Sequence, residues 1–214
     1  YGDISYEDLL RDTAIHVICM VNPDGISISQ LGLDGVQTDA VRENLSQIAQ
    51  LDGASLADST YLKRWKANAN GVDLNRNFDA LWDSYADPAG HPSSDHYKGT
   101  APGCEIESAA LIQLTLQQQF TRTISYHTQG DVIYWYFGQE GDLYDRTLSF
   151  ANTIAATTGY PLDADYQSLD PAGYKDWAIQ NQGIPSLTIE VGLQDSPVPA
   201  EQFATIWAEN QFVW

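Results

Sequence analysis

Cations and cysteines are scarce in this chain. Ten Lys and Arg stand against 29 Asp and Glu, a formal charge of -19. That balance excludes the basic contacts that nucleic-acid phosphates require and disfavours anionic membrane surfaces. An acidic shell is either a solubility feature or a background that makes a few cations in a pocket conspicuous to an anionic ligand. Cys19 and Cys104 provide neither a disulfide framework nor a thiolate metal cluster. Cys19 lies in an apolar run and is expected to be buried; Cys104 precedes a helix. No apolar run is long enough to span a membrane, and no signal-peptide pattern is visible. What is present is the composition of a folded domain, 43% hydrophobic and 11% aromatic over 214 residues.

Strands and helices alternate along the chain. Residues 14–21 (AIHVICMV) form a continuous β-branched run that predicts a strand buried on both faces, with His16 packed in the core. It stops at a turn, Asn22-Pro23-Asp24-Gly25. Residues 38–51 place Val41, Leu45, Ile48 and Leu51 at helical spacing behind a Thr38 or Asp39 cap. Residues 52–100 have little periodicity, and a loop that long in a compact domain is usually functional. It carries His91 and His96, read as surface-loop residues. Residues 105–120 predict an amphipathic helix presenting Ile106, Ala110, Leu114 and Gln117; residues 143–158 predict a second, closed by Gly159. A short helix at 173–182 and a last one at 199–210 follow the same pattern. Strands are expected at 123–127, 132–137 and 185–192. The fold class is α/β, with a mixed, mostly parallel sheet and helices on both faces.

Within the long loop, GVDLNRNF (residues 71–78) ends in Arg76, fenced by Asn75 and Asn77. An arginine fork matches a carboxylate, and Asn75 adds a donor. Arg76 is a carboxylate clamp or a loop arginine between turn-forming amides. His127 and Glu190 are titratable residues at or near the ends of apolar strands, where α/β sheets bind ligands. The histidine suits a metal as neutral imidazole, or is a hydrogen-bonded core residue. The glutamate is a general base, or half of a structural ion pair.

Four blocks in order resemble the zinc metallocarboxypeptidases of the carboxypeptidase A and T type: VNPDG (21–25), GVDLNRNF (71–78), SYHTQG (125–130) leading into Tyr134-Trp135, and TIEVG (188–192). The resemblance covers nearly the whole chain. It implies a carboxypeptidase-like fold and one zinc ion, with His127 as a ligand, Glu190 as the base acting on zinc-bound water, and Asn75 with Arg76 as the substrate-carboxylate clamp. Tyr166 looks like the family's mobile tyrosine. The carbonyl-polarising arginine has no clear counterpart, and Arg64 or Asn68 is left to take its part. Lys175, just before Asp176-Trp177, falls where the family's pocket floor lies and would favour a distal carboxylate; otherwise it is an exposed helix lysine.

The run RWKANANGVDLNRNF also looks like bacterial enzymes that cleave γ-D-glutamyl–diamino acid bonds in cell-wall peptides. The implied function is zinc-dependent hydrolysis of a peptide or isopeptide bond beside a free-carboxylate residue. The implied partner is a peptide, such as a peptidoglycan stem peptide, and a secreted or cell-envelope location is favoured over the cytoplasm. The alternatives are a non-catalytic carboxylate-binding module and an N-acyl amino acid deacylase. One departure stands out. The family's HxxE zinc motif is absent, so the expectation is a single domain over residues 1–214 that forms the C-terminal two-thirds of a catalytic domain. Its sheet would be incomplete at the N-terminus, its zinc ligand set incomplete, and the chain alone inactive.

Overall fold

The structure, a computed structural model, describes residues 6–163 and 170–213. In order, the elements are α1 (Tyr6–Leu10), α2 (Pro23–Leu31), α3 (Asp39–Leu51), α4 (Ser59–Lys63), α5 (Ile106–Gln118), β1 (Thr123–His127), β2 (Val132–Tyr134), α6 (Gly141–Thr158), α7 (Tyr174–Gln182), β3 (Ser186–Glu190) and α8 (Phe203–Asn210). The sheet is mixed. Its order is β1-β3-β2, with β1 parallel and β2 antiparallel to β3.

Alternation along β3 sets the layers. Leu187 and Ile189, both at 0% exposure, point into a cluster with Ile133, Trp135, Phe150 and Ile154, so α6 covers that face. Ser186 and Thr188 point the other way, and the Thr123 hydroxyl donates to Ser186 Oγ at 2.7 Å. α7 packs on that side, its Tyr174, Trp177 and Ala178 closing a second cluster with Phe78 and Ile184. A third cluster, Ile28, Leu45, Ile48, Leu62 and Trp65, ties α2, α3 and α4 together beneath the long loop. Caps hold where the sequence places them. Thr38 accepts from the Val41 N–H at 3.3 Å, and Gly159 ends α6 at φ +80°.

Several sequence expectations need correction. Residues 14–21 form no strand: they have no ladder partner among the described residues, and Ile15, Val17, Ile18, Met20 and Val21 are exposed. A β-branched run favours extended chain, but a strand also needs a neighbour to pair with. Cys19 is accordingly exposed, and His16 is exposed with its ring edge-on to Phe120 at 5.2 Å. Residues 22–25 start a helix. Asn22 accepts from the Gly25 N–H at 2.9 Å as the N-cap of α2, and Pro23 occupies the first turn, where a missing N–H costs nothing.

α5 presents the opposite face from the one expected. Ile106 is 81% exposed, whereas Ser108 and Thr115 are buried and Leu111 and Ile112 pack on the α7 cluster. Thr115 can face inward because its hydroxyl is satisfied by Leu111 O at 2.8 Å and the Tyr174 hydroxyl at 2.9 Å.

Leu187→Ala should cost about 2–5 kcal/mol, since it empties a site with no solvent access. Ile106→Ala should change stability by no more than about 0.5 kcal/mol. Urea unfolding midpoints of the two variants check both figures.

Candidate active site

The parallel register of β1 and β3 pairs His127 with Glu190. Both residues therefore stand side by side on one face, at the carboxyl ends of their strands. The chain beyond is pinned: the Val191 N–H donates to His127 O at 2.9 Å, the Gly130 N–H to Gly192 O at 2.8 Å, and the Gly192 N–H to Asp131 Oδ1 at 2.6 Å. Both side chains are short of solvent. Burial pushes the Glu190 carboxyl from its ordinary 4.5 up to about 7, against the pull of Lys66 and Arg76. Its Oε2 is buried without a hydrogen-bond partner among the described residues. Burial, then the Lys66 cation, lowers His127 from 6.5 to about 4. At neutral pH His127 is thus a neutral imidazole with a lone pair, beside a carboxyl that can hold or release a proton.

The facing wall is the loop from Trp65 to Asn77. Asn22 Nδ2 donates to Lys66 O at 2.9 Å and Ala67 O at 3.0 Å, while the Lys66 and Ala67 N–H groups both donate to Ser94 O. Gly25 is required there, because a Cβ would sit 2.6 Å from Ala67 O. The VNPDG block is therefore a backbone clamp on the segment that carries Lys66. The Lys66 ammonium lies 2.8 Å from Asp73 and 3.3 Å from Asp95. Asp73, 1% exposed, also accepts from the Asn75 N–H at 3.0 Å and so caps the short 3-10 turn Leu74–Arg76. Burial alone would raise Asp73, but Lys66 and Arg76 on either side hold it below the usual carboxylate range.

Arg76 is buried. Its Nη1 donates to Asn75 O at 2.9 Å, its Nη2 meets Asp170, its Nε has no partner among the described residues, and its guanidinium lies 5.1 Å from the Tyr85 ring centroid. Asn75 Oδ1 accepts from the Tyr174 N–H at 3.2 Å, which leaves its NH2 as the outward end. Asn68 is buried and spent within the loop, donating to Glu105 at 2.7 Å and accepting from the Asn70 and Val72 N–H groups, each at 3.1 Å. Arg64 is the exposed C-cap of α4. Lys175 is half-buried, its ammonium held by Asp176 and, at 3.2 Å, by Tyr136 O; it is not the exposed alternative. Tyr166 lies outside the described residues.

Sequence reasoning missed Lys66 and Asp73. Arg76, Glu190 and His127 are brought into one electrostatic neighbourhood with Lys66, whereas Arg64 and Asn68 act elsewhere. No local signal marks Lys66, one of three cations in the run Lys63-Arg64-Trp65-Lys66; its place is set by Asn22 and Ser94, remote in sequence.

The donors at the strand ends can be tested against what a metal needs. A neutral His127 beside the unpartnered Glu190 oxygen fits a metal ligand next to a base, but a catalytic zinc needs about three protein ligands. Among the described residues, one set of three His, Cys, Asp or Glu brings its ligand atoms within 4.8 Å of one another: Asp73, Asp95 and His96. It excludes His127, and the Lys66 ammonium already neutralises its carboxylates.

The zinc carboxypeptidase family model matches residues 1–213, and the chain belongs to that family. The chain is 33% identical over 207 residues to the gamma-D-glutamyl-L-diamino acid endopeptidase 1 of Lysinibacillus sphaericus, covering 96% of this chain and 49% of that protein. To the carboxypeptidase B of Helicoverpa zea it is 33% identical over 187 residues, covering 85% of this chain and 37% of that one. It thus spans half or less of the length of these relatives. Bovine thrombin-activatable fibrinolysis inhibitor, in complex with tick carboxypeptidase inhibitor, shares the fold with a TM-score of 0.53 and 21% identity, over 66% of this chain and 53% of that one. Zinc is the family's metal.

An acid with a raised folded pKa binds its proton more tightly folded than unfolded. Glu190 therefore costs stability increasingly from about pH 4.5 and fully above about 7. His127 has the opposite sign: lowered in the fold, it costs stability as pH falls from 6.5 towards about 4. That cost is common to the wild type and to Glu190→Gln. Glu190→Gln should therefore unfold at higher urea than wild type at pH 8 and converge with it at pH 4.

Proposed function

We propose that this chain is the part of a zinc peptidase that carries the general base and the carboxylate clamp. The observation that supports this most is the pairing of a neutral His127 with a Glu190 that titrates near neutrality. A base with a pKa near the working pH can take a proton from water and return it to the leaving amine. In this reading His127 would hold the zinc, which, when bound, supplies Lewis acidity and lowers the pKa of water.

The chain's own residues do the rest. As the water oxygen adds to the scissile carbonyl carbon, Glu190 accepts the water's proton on its unpartnered Oε2, and it donates that proton to the nitrogen as the C–N bond breaks. Lys66, although ion-paired to Asp73 and Asp95, still favours the negative form of Glu190 and would favour negative charge developing beside it. Arg76, with the Asn75 amide, receives the free carboxylate of the residue next to the scissile bond.

The substrate class follows the relatives. The Lysinibacillus sphaericus protein is named for γ-D-glutamyl–diamino acid bonds, and a diamino dicarboxylic acid offers one carboxylate to Arg76 and a second, distal one. Lys175 spends two of its three N–H donors on Asp176 and Tyr136 O, and the third is assigned to that distal group. The parent protein would then act on peptidoglycan stem peptides, in the cell envelope or outside the cell. No helix among the described residues is long and apolar enough to cross a membrane.

The test is hydrolysis of a γ-D-glutamyl–meso-diaminopimelate peptide by the zinc-loaded full-length parent protein, which supplies the remaining ligands, with the lysine analogue of the peptide as comparison. Glu190→Gln should lower kcat by about 10²–10⁴-fold at unchanged zinc content. Arg76→Ala should act mainly on KM. Full activity in Glu190→Gln would overturn the assignment of the base.

A further inference from the structure

Asp170 is an exposed acid resting on a buried base. Its side chain is 66% exposed, while that of Arg76 is 9% exposed. The contact is imposed by the backbone. Ala172, at 0% exposure, is docked between Phe78 and Ala80: the Phe78 N–H donates to Ala172 O at 3.0 Å, and the Ala172 N–H to Ala80 O at 2.9 Å. The next residue, Gly173, approaches Asn75 so closely that a Cβ would lie 2.9 Å from its Oδ1. The two segments run together beside Arg76, and Asp170 arrives at the guanidinium as a result.

Arg76 has two carboxylate neighbours of different kinds. Asp73 is buried and held by Lys66 and the Asn75 N–H, so it is a permanent counter-ion. Asp170 touches one prong of the fork, Nη2, while Nε stays buried and unpartnered. A single-pronged pair with one solvent-exposed partner is weaker than a bidentate carboxylate pair, which is among the stronger contacts a guanidinium makes. With Asp170 gone from Nη2, the Arg76 charge would still feel the nearby Asp73 carboxylate.

We propose that Asp170 is an internal carboxylate that occupies the Arg76 clamp when no ligand is bound, and that it sets the affinity of that subsite by competing with the ligand's carboxylate. This rests on the reading of Arg76 as the carboxylate clamp. Ligand binds only the fraction of molecules in which Asp170 has left, so apparent affinity falls by that fraction. The carboxylate preference comes from Arg76, and the threshold a ligand must exceed comes from Asp170.

The experiment is titration calorimetry of N-acetylglycine and of uncharged N-acetylglycinamide against wild type, Asp170→Asn, Asp170→Ala and Arg76→Ala. Both Asp170 variants should bind N-acetylglycine about two- to fivefold more tightly than wild type, with the amide unchanged. Equal, weaker or undetectable N-acetylglycine binding in both Asp170 variants would overturn the proposal, and would make Asp170 a residue that holds Arg76 in place. Arg76→Ala reports separately on the clamp itself. If it keeps the preference for N-acetylglycine over the amide, the clamp reading fails, and the role of Asp170 with it.

Discussion

Asp73 is the constraint on which the facing wall depends. A carboxylate at 1% exposure is costly unless it is paired and hydrogen-bonded. Here one buried anion does three things. It anchors the Lys66 ammonium, starts the turn that carries Arg76, and balances the Arg76 charge. Two cations can then stand close together beside a carboxyl that burial keeps near neutrality, without making the site strongly positive. In a chain of net charge -19, such a locally balanced pair is what an incoming carboxylate would meet.

The opposite wall depends on register. Because β1 and β3 are parallel and paired Thr123 to Ser186, their last residues, His127 and Glu190, fall opposite each other. A slip of one residue would turn one of them to the α6 side, into the apolar cluster around Leu187 and Ile189. The alternation of small polar and large apolar residues along β3 therefore secures the core and sets Glu190 beside His127.

How much of this was legible depended on how local each determinant is. β1, β3, α3 with its Thr38 cap and α6 with Gly159 rest on periodicity and capping within a few residues, and they read correctly. The run at 14–21 did not, because pairing is decided by a neighbour that lies elsewhere. Residues 22–25 misled because Asn-Pro begins turns and helices alike. His127, Glu190 and Arg76 stood out as polar residues in unusual places. Lys66 did not, because its position is fixed by Asn22 and Ser94, remote in sequence. Asp170 reaches Arg76 across 94 residues, a contact no local pattern encodes.

Glu190 is a carboxyl poised near neutrality by burial and held in check by the Lys66 cation. Carbon-13 NMR titration of the Glu190 side-chain carboxyl in metal-free protein measures it directly. The midpoint should fall at about 7 and rise further in Lys66→Met, since the lysine lowers it. A midpoint near the ordinary 4.5, indifferent to Lys66, would contradict it.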